Sequence, residues 1–101
     1  MRRGTTPAHV FKTKLDLTPE NVEKLFITYA QNGSVRVEKT LADAVLAEKS
    51  VAVSLTQADT LRFDPDTIVS IQIRVLFADG TAIASNVLRV PVEIVLKDGE
   101  I

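Results

Sequence analysis

The side chains that could carry out chemistry are few and scattered. His9 is the sole imidazole, Tyr29 the sole phenol, and there is no cysteine. That last absence excludes thiol nucleophiles, disulfide scaffolds, zinc knuckles and iron–sulfur sites, and it leaves the redox compartment open. Ser34, Ser50, Ser54, Ser70 and Ser85 all lack the G-x-S-x-G setting that exposes a nucleophile on a sharp turn. A Ser-His-Asp arrangement would have to recruit His9 from the N-terminal segment, where nothing in the sequence holds it to the ~0.5 Å that catalysis requires. His9 is therefore read as a surface residue at the start of a strand and Tyr29 as facing inward. The chain is expected not to be an enzyme.

Asp64 and Asp66 alternate around a proline in "FDPDT", a loop that can present oxygens to calcium. The pattern lacks the third acidic ligand and the glycine of an EF-hand loop, so a solvated turn is the main reading and weak calcium binding the alternative. Asn32-Gly33-Ser34 matches the glycosylation sequon, but the same residues make a turn and no secretory signal accompanies them. Glycine-rich phosphate loops are absent, and only five aromatic residues exist, with four on inward faces or at strand ends. Twelve basic residues against thirteen acidic ones leave a net charge of −1. That balance argues against a partner bound through phosphate neutralisation, so no nucleic acid is expected. No cofactor or metal is expected either.

The elements that would have to position any site are all strands. "VFKTKLDL" alternates Phe11, Thr13, Leu15 and Leu17 with Lys12, Lys14 and Asp16, which predicts a first strand from Val10 to Leu17. Leu25 to Gln31 and Ser34 to Lys39 flank Asn32-Gly33, the pair suited to a type I′ turn, and predict a hairpin with Val35 and Val37 on one face. "LADAVLAEKS" is read as strand–turn–strand leading into Val51 to Leu55, with a single helical turn as the alternative. Thr56 and Asp59 have the offset of a capping box, which predicts a helical turn near residues 57–61. Val69 to Phe77 carries five apolar residues on one face and predicts a central strand. The chain then turns at Asp79-Gly80 and returns over Ala82 to Leu96 in two pieces joined near Asn86, Pro91 confining its part to an edge or bulge. Turns recurring every 8 to 12 residues in a chain of 101 predict one domain. Its expected class is all-β, an immunoglobulin-like two-sheet β-sandwich of seven to eight strands. Leu15, Ile27, Val53, Leu55, Leu61, Ile71, Ile73 and Val75 are the expected core.

The first eight residues stand apart in this reading. Arg2 and Arg3 have no acidic neighbour before Asp16, and Pro7 disfavours helix before it. Residues 1–8 are therefore expected to form an extended arm, mobile in the isolated chain, ahead of a sandwich over residues 9–101. Arg2 and Arg3 are the candidate partner-binding residues, suited to carboxylates on another subunit. "MRRG" is followed by no apolar run of signal-peptide length, so no cleavable leader is expected. The longest apolar stretches, "VLFA" and "PVEIVL", fall far short of the ~20 residues that span a bilayer, so a soluble chain without a membrane partner is expected.

Several of these stretches together carry a resemblance. "MRRGTTPAHVFK", "ITYAQNG" with "VEKT", "SLTQADTLRF", "IQIRVLFADGTAIASN" and "LKDGEI" resemble a group of short proteins encoded in phages and prophages of Firmicutes and other gut bacteria. The likeness covers almost the whole chain, and "LADAVLAEK" departs from it in being richer in alanine. The resemblance implies a phage-encoded protein, made in the bacterial cytoplasm and associated with the virion; no catalytic or binding residue carries over. The expected function is that of a non-enzymatic structural or accessory protein in virion or tail assembly, working through protein–protein contacts and self-association. The alternative is a small carbohydrate- or surface-ligand-binding module, which the absence of tryptophan disfavours.

Overall fold

The computed structural model describes all 101 residues. Eight strands follow in order: β1 (Ala8–Lys12), β2 (Val22–Gln31), β3 (Ser34–Thr40), β4 (Ala44–Ala47), β5 (Ser50–Ser54), β6 (Thr67–Phe77), β7 (Ala82–Ala84) and β8 (Leu88–Val92). One antiparallel sheet runs β1-β5-β4, and the other runs β3-β2-β6, with β7 and β8 pairing successive halves of the long β6. The chain is an all-β, two-sheet sandwich, its core closed between the sheets by Leu25, Ile27, Tyr29, Val51, Val53, Val69 and Ile71 among others.

The β2–β3 hairpin turns through Asn32 (φ 50°) and Gly33 (φ 75°), the two left-handed positions that a type I′ turn requires. Two bulges then redirect its side chains. One between Val22 and Lys24 lets both Val22 and Leu25 face the core although they are three apart. The other shifts the β2–β3 register beyond Tyr29 and leaves Arg36 unpaired in the ladder. Strict alternation puts Val35 and Val37 on one face; in the structure Val37 is buried and Val35 is turned out to solvent.

Between the sheets, Thr56 caps the short helix α1 (Gln57–Thr60): its hydroxyl accepts from the Asp59 N–H, and the Asp59 carboxylate accepts from the Thr56 N–H. Residues 41–49 contain both alternatives. A 3-10 turn (Leu41–Asp43) precedes β4, which then pairs with β5. Gln31 ends β2 with its side chain buried, donating to the Asp64 carbonyl and accepting from the Asp64 N–H, so it fastens the loop that enters β6.

The first strand is shorter than alternation predicts. It stops at Lys12 because side chains then capture the backbone: Thr13 Oγ1 accepts from the Leu15 N–H and Asp16 Oδ1 from the Thr18 N–H. The period-2 phase is lost there, so Leu15 is 42% exposed while Leu17 remains buried. Of two further residues expected in the core, Ile73 is half-buried at its margin and Leu61 is half-buried outside it.

Candidate interaction surface

The two arginines singled out in the sequence do find carboxylates, but on their own chain. Arg2 pairs with Glu93 at 2.8 Å and donates to the Ile94 carbonyl. Arg3 donates to both oxygens of Asp98 at 2.8 Å and to the Leu61 carbonyl at 3.1 Å. The backbone follows suit: the Met1 ammonium donates to the Pro91 carbonyl, the Glu93 N–H to the Met1 carbonyl, the Thr60 hydroxyl to the Thr5 carbonyl and the Leu55 N–H to the Pro7 carbonyl. Met1 packs against the core. The expectation of a mobile arm is thereby corrected. The carboxylates that the two arginines meet lie more than ninety residues away along the chain, where local sequence cannot show them.

His9 also departs from expectation. It faces the inter-sheet space, half-buried, with Nδ1 hydrogen-bonded to the Tyr29 hydroxyl at 2.8 Å, and Tyr29 in turn packs on Phe63. Burial, and secondarily the N-terminal ammonium, holds the His9 pKa below 6.5. Burial, then the nearby Asp59 charge, pushes the Tyr29 phenol far above its ordinary value, so it stays neutral. Beside them Lys39 and Asp59 form a 2.7 Å pair. Burial alone would raise the Asp59 pKa, but the Lys39 ammonium and the Thr56 N–H together outweigh it and hold the carboxyl below its usual range. These groups satisfy one another and bind β1, β2, β3 and α1 together.

The "FDPDT" loop is likewise engaged. Asp64 pairs with Arg36 at 3.1 Å, and no three His, Asp or Glu side chains come near enough to share a metal ion. No helix is long and apolar enough to cross a membrane.

What remains unengaged is the outer edge of β1. The Pro7 carbonyl accepts from Leu55 and the Thr13 N–H donates to Lys49, so with His9 opposite Val53 and Phe11 opposite Val51 the odd-numbered residues bond to β5. Antiparallel alternation then points the N–H and C=O of Ala8, Val10 and Lys12 away from the sheet, where no strand pairs with them. The side chains of the same residues lie on the solvent face. There Val10 (59% exposed), Ala52 and Val45 (72% exposed) are in register, forming an apolar row across all three strands. Next to this edge a groove of about 180 Å³ opens between the sheets, lined by Phe11, Leu15, Leu17, Ile73 and Ile83.

The other edges are blunted in ways that natural sheets use against pairing. On β3, Arg36 and Lys39 reach back to Asp64 and Asp59. On β8, Pro91 lacks an N–H, and Arg2 forms a parallel bridge at Glu93. β4 has four residues and β7 three. The sequence carried a signal for β1, the exposed valine of an otherwise polar outer face, but not the fact that its neighbour is missing.

No protein-family model, no curated protein and no solved structure matches this chain.

Proposed function

We propose that this chain is a non-enzymatic phage or prophage structural or accessory protein, acting in virion or tail assembly by accepting a strand on the free edge of β1. The observation that carries the reading is the unpaired edge at Ala8, Val10 and Lys12 beside exposed Val10, in a molecule whose β3 and β8 edges are shielded and whose β4 and β7 strands are shorter. Strand addition supplies main-chain hydrogen bonds for affinity and leaves adjoining side chains to set specificity. The groove at Phe11 and Ile83 is placed to take an apolar side chain from the segment that pairs there. His9, Tyr29, Lys39 and Asp59 are taken up by contacts with one another, which supports a role outside catalysis. Among the aromatic residues only Phe26 reaches solvent appreciably, which gives a sugar ring no cluster to stack on.

The test is sedimentation of induced phage particles on a density gradient, with a tagged chain and its Val10→Pro variant. Proline removes an N–H that makes no internal bond, and a thermal melt checks that the variant is folded. The parent is expected to band with the particles and the variant to stay at the top. A parent that stays with free protein, or a folded variant that bands like the parent, overturns the reading.

A further inference from the structure

The strand that best fits the free edge of β1 is β1 itself. We infer that two copies of this chain associate about a two-fold axis through antiparallel β1–β1 pairing, centred on Val10. This rests on the strand-accepting edge proposed above and names its occupant.

The register follows from the backbone. The groups pointing outward belong to Ala8, Val10 and Lys12, which are spaced symmetrically about the middle residue of a five-residue strand. A two-fold axis normal to the sheet sets Val10 opposite Val10 of the second copy and Ala8 opposite its Lys12, and likewise in reverse. All three are then hydrogen-bonding pairs, in which opposed residues exchange N–H and C=O, so every free group on the edge is satisfied at once. Shifting the pairing by one residue in either direction would point bonded groups at free ones, which excludes the neighbouring registers.

Charge agrees with the same register. Lysine on an edge usually discourages pairing, yet here Lys12 meets a small neutral Ala8 and stands four residues along the strand from its symmetry mate. The solvent faces also continue one another. The row Val45, Ala52, Val10 runs into Val10, Ala52, Val45 of the second copy, making one apolar stripe across six strands. On the inner face, His9 comes opposite Phe11 of the second copy, both half-buried in the single chain. A pairing of five residues is a small interface, so the dimer is expected to be in rapid exchange and to need concentration.

The experiment is sedimentation equilibrium on the purified chain, from low micromolar to near-millimolar, with two variants of opposite predicted sign. The parent is expected to approach twice its mass of 11.0 kDa at the upper end. Val10→Lys opposes two like charges at the axis and removes the valine pair, which is expected to weaken association about tenfold. Ala8→Glu places a carboxylate opposite Lys12 of the second copy twice over and is expected to tighten it about threefold. Melting at low concentration, where the chain is single, checks that both variants are folded, since both side chains are exposed. A monomer at all concentrations overturns the inference, as does a dimer whose affinity neither folded variant changes, or one that both weaken. A monomeric chain that still bands with particles through Val10 defeats only the choice of occupant. A β1-paired dimer that never bands with particles defeats only the assembly role.

Discussion

Replacing Tyr29 by phenylalanine isolates a single hydrogen bond inside the sandwich. The ring is fully buried and keeps its packing on Phe63, so the substitution removes the hydroxyl and leaves the volume in place. What is lost is the 2.8 Å bond to His9 Nδ1, which then faces the inter-sheet space without a partner. A buried group left unpaired costs ~1–3 kcal/mol, and because His9 is only half-buried and reachable by water the lower end applies, ~1 kcal/mol. For a domain of this size that is a fall in Tm of ~4–8 °C. Urea denaturation near neutral pH measures it directly. The pH dependence supplies a second arm. The folded chain holds the His9 pKa below 6.5, while the unfolded chain takes up the proton near that value. Stability associated with neutral His9 is therefore full above pH 6.5 and declines as pH falls below it, until the folded histidine also protonates. His9→Gln should flatten that decline relative to the parent. Tyr29→Phe as stable as the parent, or a parent whose stability rises from neutral pH to about pH 5 relative to His9→Gln, would show that the bond does not stabilise the sandwich in this way.

Core position and exposure should separate two aliphatic residues that strand alternation treats alike: Ile27→Ala, at a site with no exposure, should cost ~2–5 kcal/mol, and Leu15→Ala, 42% exposed, within ~0.5 kcal/mol of nothing in the same melts. Deleting residues 2–7 should lower Tm by several degrees, because it removes the Arg2–Glu93 and Arg3–Asp98 pairs and the bond from Thr60 to Thr5; an unchanged Tm would show that the segment is not docked in solution.

The local elements were legible because their causes are local. Asn32-Gly33 turns the chain through its own backbone preferences, and Thr56 with Asp59 caps a helix within one turn. The five apolar residues of β6 alternate because a strand's side chains do. Hydrophobic patterning likewise fixed the class, an all-β sandwich in which Ile27, Val53, Leu55, Ile71 and Val75 are buried. Patterning failed where a backbone irregularity outweighed the period: the bulge that expels Val35, and the side-chain bonds at Thr13 and Asp16 that end β1 before Leu15. The candidate surface was legible only as Val10 on an otherwise polar face, since an edge is defined by the strand that is missing beside it. Which strand becomes an edge is decided by the order β1-β5-β4, and the N-terminal arginines are occupied because the fold carries Glu93 and Asp98 to them. Sequence sets the preferences of neighbours along the chain; contacts across ninety residues, and the unpaired edge of β1, exist only once the sheets have closed.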